Sequence, residues 1–548
     1  MLRAQLSDRT MLDISEMRLQ VFRCLRMTDV RSLKLVCKTW YPEADQLIWE
    51  GIETLPPLLR LLPEDAWEEG TGSQYSGRGK VGRTWPENFN ITRPLRPEDW
   101  SEVIRHALHL KFYRMDKMLS TCTDAALEAI IACPPPQFPF LTGVRSLRLF
   151  PSPKQLALYG KLLHLLIPHQ YITSLICVAV EQFMPDADDF ISRFQRLSSL
   201  SLHVDQGRYA HEDPYPLTTW YYAAFDPSYD EGKRYDIRFV KALEHCSELQ
   251  HLDLTLHVEA TIYMLRTLSE NSTLQSLTLH YGRKDMHQFE NDLSAAYTFP
   301  PFPSLRCLEI EGLPLGGAAR ILPSQEPTPL EEIRLIDYMC NAPSEDYGRF
   351  GPLKGVLLAT LDLICSLLEP YHSLCVLHIE VPSYGNFTLT LGDIRPLSAF
   401  PHMREITIIT QHKTALVDAD CEQMAKWWPS LEVFRLGCEC PTGDPECTLH
   451  GLLALASRCP RLARLELPLD ARSIPDFLPG PGRAPSPYAS LTYLNVGDAP
   501  IADAKHVARF MKSTFPKLRL VGYSSYRLHD DVGQRVRKWH RVVDELTG

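Results

Sequence analysis

Residues 274–279 read LQSLTL, 305–310 read LRCLEI and 330–335 read LEEIRL. This six-residue pattern, L-x-x-L-x-L with Ile, Val, Met or Phe allowed at the apolar places, decides the fold. Further copies start at Val144, Leu197, Leu249, Leu374, Met403, Leu431, Leu462 and Leu491, with weaker ones at Ile172 and Leu518. Most successive starts lie 25 to 31 residues apart, and only two steps are longer, at 52 and 44 residues. Side chains alternate across a strand, so the second and third apolar residues enter one core and the residue between them points the opposite way. Between copies the apolar spacing turns helical: DFISRFQR before Leu197, FVKALEHCSE before Leu249, MLRTLSENST before Leu274, LDLICSLLEP before Leu374, LLALASRCP before Leu462 and AKHVARFMKST before Leu518. Strand, turn and helix repeated at a constant step predict parallel strands stacked into an α/β solenoid.

The period and pattern resemble the leucine-rich repeat. That resemblance implies an irregular horseshoe, with parallel strands inside and helices outside. One or two copies could arise from Leu-rich helices by chance; eleven at a near-constant step do not. The family's Asn or Cys, three residues after the last apolar position, is missing. Asp205, His257, Gly282, Leu313, Pro382, Glu439 and Asp470 occupy those places. The side-chain ladder that satisfies backbone groups in regular horseshoes is therefore expected to be absent, with uneven curvature and variable loops.

Composition agrees with a folded chain too long for one compact core. The chain has 548 residues, 45% apolar and 23% charged, with 57 Lys and Arg against 67 Asp and Glu. A net charge of −10 is adverse to general binding of nucleic acid or anionic membrane, which needs excess cations. Fifteen Cys in no regular rhythm read as reduced thiols rather than a disulfide framework. No apolar h-region opens the chain and no apolar run approaches the ~18 residues of a membrane span. The expected location is cytoplasmic, nuclear or both.

Residues 13–50, DISEMRLQVFRCLRMTDVRSLKLVCKTWYPEADQLIWE, carry a different signal. Helical spacing predicts a first helix over Glu16–Leu25, capped by Asp13 or Ser15, with Met17, Val21, Phe22 and Leu25 on one face. Thr28 is expected to cap a second, carrying Val30, Leu33, Val36, Cys37 and Trp40, and Pro42 to end it. A third short helix is expected around Ala44, Leu47, Ile48 and Trp49. Three helices in so few residues cannot bury this much apolar surface alone, so a face is left for a partner in cis or in trans.

The same segment resembles an F-box: Glu16, Val21-Phe22, Leu25, Asp29-Val30, Leu33, then Val36-Cys37-Lys38-x-Trp40 and Leu47-Ile48-Trp49. Ser15 departs from the family's usual Pro. The stretches LPPLLRLLPEDAWEE and RPLRPEDWSEVIRHAL that follow are similar to the linker of a fungal, basidiomycete-type F-box group with irregular leucine-rich repeats. The resemblance implies an F-box-like helical domain at 11–52, a linker with a flexible Gly-rich segment at 53–100 and a repeat solenoid at 101–548. It also implies that Met17, Val21, Phe22, Leu25, Val30, Leu33, Val36 and Trp40 dock on a Skp-type adaptor. Through it the chain joins a cullin-RING (SCF-type) ubiquitin ligase, and the repeats hold the target protein. Such a chain is no enzyme: it lowers a barrier by proximity and leaves the chemistry to other subunits.

Elsewhere chemistry is sparse. Gly72 and Gly77 in GTGSQYSGRGKVGR have phosphate-loop spacing, but Arg78 and Gly79 stand where Gly-Lys-Ser/Thr is needed. Cys438, Cys440 and Cys447 are poorly spaced for zinc, so no metal or other cofactor is expected. RVRKWHR near Arg535 is flanked by acids and reads as a solvated helix face. Insertions are expected around Trp220–Tyr229, at 337–352 and at 468–487, the last a surface loop rich in Pro and Gly. The site expected from period-two alternation is the row between the second and third apolar positions. Its candidate target-binding members are Arg148, Asp253, Glu309, Arg334, His378, Arg435, Glu466 and Asn495, accompanied by Ser201, Thr278 and Thr407. Their mixed charge suits a folded protein better than a polyanion. The competing expectation is a repeat scaffold with no ligase role, whose N-terminal helices only cap the array.

Overall fold

The computed structural model describes residues 15–52, 55–70, 88–115, 122–136, 141–149, 169–180, 193–205, 243–256, 271–281, 302–322, 329–337, 353–369, 372–437, 444–475, 490–497, 499–523 and 530–547, with a few single positions between. These fall into two compact units, one up to residue 253 and one from residue 254 on.

The first unit opens with helices α1 (Ser15–Arg23), α2 (Met27–Leu33) and α3 (Tyr41–Ile48). The second helix is shorter than its apolar spacing predicts. It ends at Leu33, and Val36 to Trp40 lie in turns. Thr28 sits inside this helix behind Arg26, so it caps nothing. Pro42 opens α3 rather than ending α2, because a first-turn proline loses no helical hydrogen bond.

Parallel strands follow at β1 (Gly51–Ile52), β4 (Phe112–Met115), β5 (Ser146–Leu149), β6 (Ser174–Val180) and β7 (Ser199–Asp205). Residues expected as linker carry regular structure. A helical turn at Pro56–Leu59 buries Leu58 and Leu59, and β2 (Trp67–Gly70) pairs antiparallel with β3 (Asn88–Ile91). Trp100 is fully buried, and its indole donates to the Cys133 carbonyl. The Gly-rich stretch 71–87 lies outside the described residues.

The second unit holds nine consecutive parallel strands among the described residues. They are β9 (Ser276–Tyr281), β10 (Cys307–Glu311), β11 (Glu332–Ile336), β12 (Val376–Leu389), β13 (Glu405–Thr414), β14 (Val433–Leu436), β15 (Arg464–Glu466), β16 (Tyr493–Asn495) and β17 (Leu520–Gly522). The weaker sequence copies at Ile172 and Leu518 are strands too, β6 and β17. Long helices lie where the spacing places them, at Leu353–Leu368, Leu449–Arg458 and Ala504–Thr514. The helix readings before Leu197, Leu249 and Leu274 lie largely outside the described residues, as do the insertions at Trp220–Tyr229 and 338–352. The start of the 468–487 stretch is core rather than surface loop: Leu469 and Ala471 are fully buried, and Ala471 bridges Ile501.

Two devices join successive repeats. At each one a single carbonyl, on the residue after the first apolar position, accepts from two consecutive amides of the next repeat. Arg306 O accepts from Glu331 N and Glu332 N, Glu331 O from Cys375 N and Val376 N, and Arg404 O from Glu432 N and Val433 N. The same bifurcated acceptor appears at Glu50 and Lys111, where the sequence pattern is unreadable because Trp49, Thr54 and Tyr113 stand at apolar places. The array therefore begins directly after α3. Hydroxyls reinforce these joints, with Ser198 donating to Thr173 O and Thr492 to Ala463 O.

The second device replaces the missing Asn ladder. The Asp418 carboxylate, at the start of helix Asp418–Trp427, accepts from Thr448 N at 2.7 Å, Thr448 Oγ1 at 2.7 Å and Gly451 N at 2.9 Å. It thus caps the helix of the following repeat. The Trp428 and Trp539 indoles donate to Leu397 O and Ala499 O across neighbouring segments. Cys447, weighed as a metal ligand, is buried with its sulfur 3.2 Å from that of Cys421. Cys438 and Cys440 lie outside the described residues. Among the described residues no helix is long and apolar enough to cross a membrane.

Candidate functional site

Two surfaces carry the candidate residues. The first is made by α1–α3. Phe22, Val30, Ala44 and Leu47 form its core, with Leu19, Leu33, Trp40 and Ile48 packed around them. Phe22 and Trp40 meet edge to face at 5.7 Å. Glu43 is buried beneath α1 and receives Arg18 Nη2 and Ser15 Oγ, each at 2.6 Å. Burial opposes its charge, but those two bonds hold its carboxyl below the usual range. Lys34 pairs with Asp45 at 2.6 Å.

The eight residues expected to dock therefore separate into two groups. Phe22 and Val30 are spent on the internal core, and Leu33 and Trp40 are partly spent there. Met17, Val21, Leu25 and Val36 remain exposed, with Val21 at 45% and Val36 at 59%. Met17 and Val21 follow at a four-residue step along one side of α1, while Leu25, expected on the same helix, lies in the turn two residues past its end at Arg23. Met27, Leu35 (88% exposed) and Tyr41 extend the exposed apolar set and were not singled out from sequence. Their signal was available: each is apolar yet out of phase with the residues that close the three-helix core.

This helical segment is joined to the strands behind it. Glu50 Oε1 takes Lys111 Nζ at 2.6 Å and Arg23 Nη2 at 3.1 Å. The His106 ring lies 4.9 Å from Trp49 and 3.5 Å from Asp45 Oδ2. Burial depresses the His106 pKa more than Asp45 can restore it.

The second surface is the strand face opposite the Leu and Ile rows. Register puts Glu309, Arg334, His378, Thr407, Arg435, Glu466 and Asn495 side by side on successive strands, beginning from Thr278. Neighbouring strands lie ~4.8 Å apart, so the period-two reading assembles one continuous polar row. In the first unit Arg148 stands beside Ile176, Ile176 beside Ser201, and Ser201 Oγ donates to Asp253 Oδ2 at 2.9 Å.

The row is less open than a solvated strand face. His378, Thr407 and Glu466 are buried, because flanking residues two places along each strand close over them. Glu466 takes Arg435 at 2.7 Å and Arg464 at 2.6 Å, and Asn495 reaches it at 3.4 Å. His378 lies 3.3 Å from Glu380 and 3.6 Å from Glu405. Burial works against the charged imidazole, yet bonds to Glu380 and Glu405 outweigh it and raise its pKa. The His378 bond, in turn, is the main cause holding Glu405 low. Arg334 pairs with Glu332 and, at 3.9 Å, with Glu405. His280 Nδ1 sits 2.6 Å from Glu311. Burial and the neighbouring Glu311 push the Glu309 carboxyl up to about 7.

No family model matches the chain, and no curated protein matches its sequence. Among solved structures it is similar to the Rad7 and Elc1 complex of yeast. That alignment has a TM-score of 0.33 at 12% identity and covers 94% of this chain and 91% of that one. So slight a likeness identifies neither fold nor function.

Proposed function

We propose that this chain is a non-catalytic substrate receptor of a cullin-RING ubiquitin ligase. Helices α1–α3 act as an F-box that docks on a Skp-type adaptor, and the strand face of the leucine-rich repeats holds the target protein. One observation carries the reading. Of the eleven large apolar side chains exposed among the described residues, seven lie between Met17 and Tyr41. An apolar patch concentrated on one small segment marks a protein-interaction surface, whereas scattered singles do not. Four of the seven, Met17, Val21, Leu25 and Val36, are among the residues that the F-box resemblance assigns to the adaptor.

The test is co-purification with a Skp-type adaptor. Val21→Asp together with Val36→Asp abolishes it while the chain stays folded, because both side chains already face water. Retention of the adaptor by that folded variant refutes the reading.

A second reading has its own support. The Glu50 carbonyl seeds the first strand joint, and Asp45 and Glu50 hold His106 and Lys111, so α1–α3 also cap the array. Deleting residues 1–48 then lowers the melting temperature of what remains. A freely separable module leaves it unchanged.

A further inference from the structure

Cys421 and Cys447 are brought together by the joint that Asp418 makes. Cys421 follows Asp418 by three residues, so the two side chains leave helix Asp418–Trp427 on the same side. Asp418 accepts from Thr448 N and Gly451 N, which draws the start of the next helix, with Cys447 just before it, against that side. Cys447 is fixed from the other direction too, since its carbonyl accepts from Asp470 N at 2.7 Å. The two sulfurs lie 3.2 Å apart and both residues are buried, at 0% and 2% exposure. Gly451 keeps that space open: a Cβ there would stand 2.5 Å from the Cys447 sulfur and 3.1 Å from the Cys421 sulfur. Glycine is a poor helix former, yet it stands in the first turn where two sulfurs need the room. Cys459, by contrast, is a buried thiol that donates to the Trp428 carbonyl.

We propose that Cys421 and Cys447 form a disulfide when the chain meets a peroxide, and that this bond locks two successive repeats together. A disulfide needs sulfurs ~2.05 Å apart, so from 3.2 Å the pair closes by about 1 Å, which small side-chain rotations supply. One sulfur, as thiolate, attacks a peroxide oxygen. The O–O bond breaks, a water leaves and that cysteine becomes a sulfenic acid. The other sulfur then displaces the sulfenic hydroxyl, the S–S bond forms and a second water leaves. Two thiols give up two electrons and two protons, and hydrogen peroxide takes them to become two waters.

Burial sets both the speed and the persistence of the bond. The Cys421 thiol and burial push the Cys447 thiol above its ordinary range, and the Asp418 carboxylate adds to this. Thiolate is the nucleophile, so the reduced pair reacts slowly. The same burial denies a reductant access once the bond has formed. The pair is therefore a lasting clip and not a fast sensor. It closes a loop between residues 26 apart in sequence, which removes freedom chiefly from the unfolded chain.

The test treats the full-length chain with hydrogen peroxide or with dithiothreitol, alkylates the remaining thiols under denaturing conditions and maps the unreduced digest by mass spectrometry. The oxidised chain yields a linked peptide pair carrying Cys421 and Cys447, lighter by two hydrogens than the two thiol peptides together. Its melting temperature stands about 4–7 °C above that of the reduced chain. Cys421→Ser and, separately, Cys447→Ser melt alike in both treatments. Comparing treatments within one variant cancels any loss that the substitution itself causes. Recovery of both thiols alkylated after peroxide overturns the proposal, as does either cysteine as sulfinic or sulfonic acid without the link. Linkage of Cys447 to Cys438 or Cys440 instead overturns the pairing. A link with no rise in melting temperature, or a rise that persists in either serine variant, overturns the lock.

Discussion

Replacing Asp418 with Ala removes a carboxylate that reaches across to cap the helix of the next repeat in the second unit. Its two oxygens accept three hydrogen bonds, from Thr448 N, Thr448 Oγ1 and Gly451 N, at 2.7, 2.7 and 2.9 Å. Gly451 N, in the first turn of helix Leu449–Arg458, also reaches the Thr448 carbonyl at 3.1 Å, whereas Thr448 N precedes the helix and relies on Asp418. Loss of a helix cap alone costs about 0.5–2 kcal/mol. A charged acceptor strengthens each bond, and stranding the half-buried Thr448 amide adds about 1–3 kcal/mol, so the expected loss is about 2–4 kcal/mol. Asp418→Asn keeps an acceptor oxygen on one side only and should cost about half as much. At about 2 °C per kcal/mol for a unit this large, the alanine variant melts about 4–8 °C below the parent. Because repeat arrays respond locally, the sharper assay is hydrogen exchange. The amides of residues 449–458 should lose protection while those of helix Ala504–Thr514 keep theirs. A melting point unchanged within about 1 °C, with full protection at Gly451, would refute the assignment of Asp418 as a trans cap.

Other outcomes follow from the same geometry. Trp40→Ala lowers thermal stability by about 2 kcal/mol or more, because the indole packs on Phe22; Val21→Asp with Val36→Asp leaves the melting curve in place while adaptor capture is lost. Gly312→Ala is destabilising by about 3 kcal/mol or more, measured by denaturant titration: its φ is +85° and an added Cβ would run into the Tyr281 carbonyl. Stability of the second unit declines between pH 6 and pH 8. The raised pKa values of His378 and Glu309 contribute stabilisation that is complete below their unfolded values and lost as pH rises through their folded ones. Melting curves at the two pH values check the sign, and Glu309→Gln should flatten the decline.

Strand positions were the most legible part of this chain. Wherever Leu, Ile or Phe fill all three apolar places, as at 305–310 or 431–436, the period of two leaves one register, since a one-residue slip would turn the leucines to water. The two earliest strands escape the pattern because Trp49, Thr54 and Tyr113 stand where leucine is expected and Glu50 and Lys111 join the repeats through backbone carbonyls, which no side-chain pattern reports. Helix ends on α2 were misread for a related reason. Apolar spacing continues from Leu33 to Trp40, but the chain turns there: Leu33 and Trp40 pack on the core around Phe22 while Val36 stays exposed.

The candidate surfaces divide along the same line. Alternation alone names Glu309, Arg334, His378, Arg435, Glu466 and Asn495 as neighbours, because hydrogen-bonded parallel strands bring equivalent positions together whatever the side chains are. Which of them are neutralised is a matter of three-dimensional reach. Arg334 turns along its own strand to Glu332, and Glu466 draws two arginines. Likewise, composition shows that three short helices hold more apolar area than they can bury. Only packing decides that Phe22 and Val30 close the core while Val21 and Val36 stay in water. Periodicity is a property of the chain, but burial and charge pairing are properties of neighbours, and neighbours exist only once the chain is folded.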